Sequence, residues 1–101
     1  MNDEALKARA VDVQADGVAR FGERDWGIAV GALSRCGLKP EHIARVISEA
    51  ATVSDATNVL MAGGRDRLIA EASDGDRQAQ NAYAEMRERE RAAYRLSKGR
   101  R

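Results

Sequence analysis

Residues 24–47 read RDWGIAVGALSRCGLKPEHIARVI, and this stretch decides the fold class. Trp26, Ala29, Val30, Leu33 and Cys36 recur at i, i+3, i+4, i+7 and i+10, which places them on one face of a helix over 24–36. Gly37 follows where a C′ glycine ends a helix. Pro40 has the place of a first-turn proline, so a further helix is predicted over 40–50, burying Ile43, Val46 and Ile47. Phe21, just upstream, is placed to fold back over the first of these faces.

Outward from that centre the same period persists, with weaker stripes. Towards the N-terminus a helix is expected over 3–16, capped by Asn2 or Asp3 and ended by Gly17. Its apolar positions, Leu6, Ala10 and Val13, are mostly small, so it buries little by itself. Towards the C-terminus, Thr52 with Asp55 three residues on has the form of a capping box. The helix it opens carries Ala56, Val59, Leu60 and Met61, and Gly63-Gly64 is read as its stop. A short helix over 65–72 offers Leu68 and Ile69, and Ser73 with Asp76 repeats the cap pattern around Gly75. A last helix is expected over 76–97, with Ala79, Ala82, Tyr83 and Met86 turned inward. Apolar-polar alternation lasts nowhere long enough for a strand.

The expectation is an all-α fold: a small bundle of five to six helices with a projecting C-terminal helix. Residues 1–19 are read as a weakly amphipathic and mobile helix, 20–86 as the compact domain, and 87–101 as a basic helix end and tail. Composition agrees. Of 101 residues, 44% are hydrophobic, enough for one modest core, while 33% are charged and only 4% aromatic. A single cysteine excludes an internal disulfide. No run approaches the roughly 20 apolar residues of a membrane helix, and the acidic Met-Asn-Asp-Glu start lacks the order of a signal peptide. A cytoplasmic protein is expected.

Net charge is +1 and unevenly spread: residues 86–101 carry +5, leaving −4 for the rest. The basic residues there are Arg87, Arg89, Arg91, Arg95, Lys98, Arg100 and Arg101, against Glu88 and Glu90. As an arm, this segment suits an acidic partner, protein or nucleic acid; as a plain helix end, it is a solvated run of local ion pairs worth a few tenths of a kcal/mol each. Tyr83 and Tyr94 add contact area of the kind interfaces use.

Catalytic and metal readings are weaker. Cys36 and His42 are the only residues of their kinds, and a zinc site needs three or four ligands. A Cys–His nucleophile pair across the Gly37–Pro40 turn is conceivable, but Cys36 ending an apolar stripe behaves as a small hydrophobe. Gly63-Gly64-Arg65-Asp66 lacks the Gly-Lys-Ser/Thr ending of a phosphate loop. Asp74-Gly75-Asp76 lacks the further ligands of a calcium loop. No enzyme, cofactor or metal is expected. Residues 28–47 do have helix-turn-helix layout, with Lys39 and Arg45 as the donors towards a groove and Glu41 as an acidic intruder. A DNA-binding protein using those residues and the tail is therefore the alternative function.

One resemblance joins these signals. Arg24-Asp25-Trp26, Arg35-Cys36-Gly37-Leu38, Pro40-Glu41 opening Ile43 and Ile47, Ser54-Asp55-Ala56 leading to Val59-Leu60, Arg67-Leu68-Ile69-Ala70, and Ala79, Ala82, Ala84 and Met86 before an Arg/Glu-rich stretch follow one another in order. The run resembles the helical segment of scaffolding-type head-assembly proteins of tailed phages and prophages, over about residues 20–90. Those proteins are usually longer, with an acidic disordered portion ahead, and often carry an Asn-Pro turn where this chain has Gly63-Gly64. The resemblance implies a non-enzymatic, oligomerising protein whose basic C-terminal helix engages an acidic protein surface such as a coat protein. On that reading the partner contacts are Arg87, Arg91, Tyr94, Arg95, Lys98 and Arg101.

Overall fold

A computed structural model of the chain describes residues 2–35 and 39–99. Among them are five helices and no strand: α1 (Asp3–Phe21), α2 (Glu23–Arg35), α3 (Pro40–Glu49), α4 (Val53–Ser73) and α5 (Arg77–Gly99). The fold is all-α, as the periodicity predicts. The chain divides into two compact units, Met1–Arg67 and Leu68–Arg101.

In the first unit α1 packs on both α2 and α3. Asn2 caps α1, its Oδ1 accepting from the Ala5 N–H at 2.8 Å, and Asp3 and Glu4 complement the positive end of the helix dipole. The expected stop at Gly17 is corrected: α1 continues to Phe21 and turns at Gly22, whose φ of +89° only glycine adopts readily. Gly17 lies buried within the helix for a different reason, close packing. A Cβ there would stand 2.3 Å from Cδ2 of Trp26. Nor is the α1 stripe negligible, since Val13 is only 1% exposed. Phe21 is the last residue of α1, half-buried beneath the Arg20 guanidinium at 5.1 Å.

The stripe of α2 buries Trp26, Ala29 and Leu33, with Ala32 and Asp25 beside them; Cys36 and the Gly37 turn lie outside the described residues. Pro40 opens α3 as predicted. Of the three residues expected to be buried there, only Ile47 is fully so, Ile43 and Val46 being half-buried. Ala50 is the C-cap of α3 rather than a helical residue, and its carbonyl accepts from Nη2 of Arg9 at 2.7 Å, tying α1 to the end of α3.

Thr52 caps α4, its Oγ1 accepting from the Asp55 N–H at 3.0 Å. The stop at Gly63-Gly64 and the separate helix over 65–72 are both corrected: α4 runs through them without a break. Glycine at each position weakens the helix by about 1 kcal/mol relative to alanine, and tertiary packing outweighs that. The backbone of Gly64 presses on Ala29 of α2, so that a Cβ would lie 2.5 Å from the Ala29 carbonyl oxygen. Ala56, Thr57, Leu60, Met61 and Leu68 are buried along α4, whereas Val59 and Ile69 face solvent.

Asp16 joins α1 to α4. The Thr57 hydroxyl reaches both the Val53 carbonyl, at 2.9 Å, and the Asp16 carboxylate, and its one proton serves either acceptor. The Arg20 guanidinium lies 3.2 Å from Asp16 and also donates to Ser54 Oγ and, at 2.6 Å, to Asn58 Oδ1. The Thr57 hydrogen bond, the largest effect, outweighs desolvation by burial and together with Arg20 holds the Asp16 carboxyl below its ordinary value of 3.8. A depressed carboxylate favours the folded state above that value and loses its contribution as pH falls through the folded value. Asp16→Asn should therefore be less stable at neutral pH and lose less further stability between about pH 5 and pH 3 than the parent chain. Urea midpoints across that range measure this, and parallel acid limbs would contradict it.

In the second unit the end of α4 is a Schellman turn. Asp76 N–H donates to Glu71 O and Gly75 N–H to Ala72 O, both at 3.1 Å, with Gly75 at φ +96°. Ser73 is the last residue of α4 and not a cap. Asp76 itself caps α5, its Oδ1 accepting from the Ala79 N–H at 3.0 Å. Leu68, Ala79 and Met86 are the buried apolar residues of this unit.

Candidate partner-binding surface

Beyond Met86, α5 continues for more than three turns with almost every side chain in solvent. A helix turns about 100° per residue, so Arg87, Arg91, Tyr94 and Lys98, at i, i+4, i+7 and i+11, share one face. All four are exposed, and the row spans about 16 Å of helix. Two of its cations are already in contact with rings: Arg87 lies 5.8 Å from the ring centroid of the half-buried Tyr83, one turn earlier, and Lys98 5.5 Å from that of Tyr94. Two of the three cations thus have a ring to rest on, which limits the side-chain entropy a partner would have to remove.

Arg95 lies beside the row rather than in it. The Glu88 carboxylate is shared between Arg95 at 3.3 Å and Arg91 at 3.9 Å, and Arg89 pairs with Glu85 at 3.7 Å. The exposed pairs of Glu88 add at most a few tenths of a kcal/mol each. Arg101 lies outside the described residues. Of the six residues predicted for partner contact, the structure therefore brings four onto one face, places Arg95 at its edge, and does not describe the sixth.

The alternative DNA-binding donors stand elsewhere. Lys39 is the N-cap of α3, exposed and without a side-chain capping bond, and Arg45 is exposed on the same helix, as are Glu41 and His42. The turn that would define a helix-turn-helix includes residues 36–38, outside the described residues. Gly63-Gly64-Arg65-Asp66 is helical throughout, and Asp74-Gly75-Asp76 is accounted for by the Schellman turn and the α5 cap. No group of three or more metal-ligating side chains occurs among the described residues. Among them, too, no helix is long and apolar enough to cross a membrane.

Sequence reasoning missed one feature of the first unit. Val13, Trp26, Val30, Ile43, Ile47 and Leu60 read as plain core, yet they line an open apolar groove of about 480 Å3, with Gln14 at its edge. The available signal was Gly27 and Gly31, four residues apart in α2, which give the groove its room.

The chain matches no protein-family model, no curated protein and no solved structure. Fold and surface together define its class: an all-α protein whose last helix presents a basic, tyrosine-bearing row.

Proposed function

We propose that this chain is a non-enzymatic binding protein, a phage-derived scaffolding-type assembly factor that works by protein–protein contact through the end of α5. The observation that carries the reading is the row Arg87–Arg91–Tyr94–Lys98, exposed along one face of a helix in a segment of charge +5. An acidic protein surface, such as that of a coat protein, is the partner chemistry it suits, with Arg95 and Arg101 adding charge at the margins. Contacts of this kind form fast and weaken with salt, as reversible assembly requires. The chain acts in the cytoplasm, and self-association accompanies the role.

Fluorescence anisotropy of a labelled acidic peptide, titrated with the full chain at near-physiological salt, tests this. The parent chain should bind with a steep salt dependence, and the triple variant Arg87→Glu/Arg91→Glu/Lys98→Glu should lose at least 10-fold in affinity with its helical circular dichroism unchanged. A random-sequence DNA duplex bound more tightly than the peptide, and weakened by Arg45→Ala, would replace this reading with the helix-turn-helix one. Failure to bind either probe would overturn both.

A further inference from the structure

Helix α1 is apolar on two faces, and the first unit uses only one of them. Val13 and Gly17 are buried on the inner face. On the face about 130° round the helix from Val13, Lys7, Val11, Gln14 and Val18 recur at i, i+4, i+7 and i+11 and form a second row. Val11 is 68% exposed, and an open hollow of about 520 Å3 runs along Val11, Gln14, Ala15, Val18 and Ala19. Helix formation does not call for two valines there: a β-branched residue loses rotamer freedom in a helix and supports it less well than alanine or lysine. We infer that this row is a self-association surface, on which α1 of a second copy lies antiparallel about a two-fold axis close to Gln14. The inference gives the proposed self-association a place on α1, and what supports it is independent of the α5 row.

The order of side chains along the row selects the occupant. In an isologous contact the same patch serves both copies. With the axis at Gln14, Val11 of one copy faces Val18 of the other, and the two pairs of valines close an apolar centre. The two Gln14 amides meet at the axis, and each carries both a donor and an acceptor, so they satisfy one another. Lys7 comes opposite the end of the other α1, where Glu23 opens α2. Lys7 and Glu23 are exposed, and neither side chain has an ion pair or hydrogen bond among the described residues. The two-fold axis forms their pairing twice. Asp12 and Asp16 lie about 130° and 170° from the row and stay out of the contact. Asp3 and Glu4 lie nearer to it but a turn before Lys7, beyond the end of the other α1 at Phe21. The contact is about 22 Å long, from Lys7 to Gly22, and one helix wide. That is the low end of interface size, where weak and reversible associations lie. A helix of another protein could cover the valines, but the antiparallel copy also brings Glu23 to Lys7 and amide to amide with no residue from outside this chain.

Sedimentation velocity of the full chain from about 1 µM to about 1 mM tests this. The parent chain should pass from monomer to dimer within that range. Val11→Lys should weaken association about 10-fold or more, because it sets two like charges in the apolar centre. Lys7→Glu and Glu23→Lys should each weaken it about 3-fold at low salt, and Lys7→Glu/Glu23→Lys should return it to within about 2-fold of the parent. The α5 variant Arg87→Glu/Arg91→Glu/Lys98→Glu should dimerise as the parent does. A parent chain that stays monomeric throughout would overturn the inference and leave the face to another protein. Dimers that persist in Val11→Lys, or a charge swap no better than its single variants, would overturn the antiparallel pairing of α1. Loss of the dimer in the α5 variant alone would move self-association to α5. Binding of the acidic peptide is measured separately, so the α5 reading stands or falls by itself. Val11 is exposed, and circular dichroism of its variant checks that the helices are kept.

Discussion

Gly64→Ala is expected to lower stability by about 1–3 kcal/mol, while Gly63→Ala, one residue earlier in the same helix, raises it by about 0.5–1 kcal/mol. Both substitutions add a methyl group to the interior of α4, and both remove the roughly 1 kcal/mol that glycine costs a helix. They differ in what the methyl meets. At Gly63 the nearest atom is Cδ2 of Leu33 at 3.5 Å, an ordinary contact with the end of a side chain. At Gly64 it is the carbonyl oxygen of Ala29 at 2.5 Å, with the Ala29 Cβ at 2.6 Å and its carbonyl carbon at 2.7 Å. Backbone within a hydrogen-bonded helix cannot rotate aside, so α2 and α4 must separate and unpack their contact. For a chain of this size each kcal/mol shifts Tm by about 4–8 °C, so thermal melts of the two variants should move in opposite directions. A larger residue at Gly64, such as leucine, should prevent the first unit from folding. Equal shifts of the same sign would mean that the approach of α4 to α2 is not what the structure shows.

That pair of glycines also marks the limit of what the sequence discloses. Gly17, Gly63 and Gly64 were read as helix stops because glycine is the usual residue after a helix end, and local pattern offers no means of telling a stop from a contact. The distinction is tertiary. Gly22 and Gly75 do end helices, at φ of +89° and +96°, whereas Gly17 and Gly64 are buried because another element comes too close for a side chain. Where a signal is local, it was legible. Asn2, one of two candidates, and Thr52 each cap a helix with a side-chain oxygen, Pro40 opens α3, and the Trp26–Leu33 stripe faces inward. Ser73 was misread as a cap because the Ser-x-x-Asp spacing is present, but the Schellman turn at Gly75 carries the chain past it and leaves Asp76 to cap α5.

The surface of α5 was legible for the same reason. Its row depends on the helical period alone, so Arg87, Arg91, Tyr94 and Lys98 could be grouped without knowledge of the packing. What could not be read was the choice of partners around the row: that Glu88 bridges Arg91 and Arg95, and that Tyr83 and Tyr94 already hold cations. Those depend on rotamers, which sequence spacing permits but does not choose. The groove beside Trp26 was hidden for the opposite reason. A stripe that lines a groove and a stripe that fills a core have the same spacing, and only the volume left between α1, α2, α3 and α4 separates them.

The second large effect concerns the seam of α1 and α2. Gly17→Ala should lower stability by about 1–3 kcal/mol in the parent chain and far less in a Trp26→Leu background. Cδ2, Cε2 and Cε3 of Trp26 lie 2.3 to 2.5 Å from the position of a Cβ at residue 17, so the indole lies flat on the backbone of α1. A ring is rigid, and Trp26 is only 6% exposed, so it has nowhere to move without opening the contact. Leucine at 26 gives up much of the ring's contact, at a cost of its own approaching the 3–5 kcal/mol typical of truncating a buried aromatic to alanine, but it leaves room for the methyl. The alanine at 17 then also recovers the helix propensity that glycine forfeits, about 1 kcal/mol. A double-mutant cycle followed by circular dichroism in urea should therefore show a coupling of about 1–3 kcal/mol, the double variant being more stable than the sum of the single losses predicts. Additivity within about 0.5 kcal/mol would place Trp26 away from Gly17. The cycle isolates why α1 is ordered at all. Leu6, Ala10 and Val13 make a thin stripe, and the helix holds its place because a glycine in its last quarter lets the largest side chain of the protein close against bare backbone.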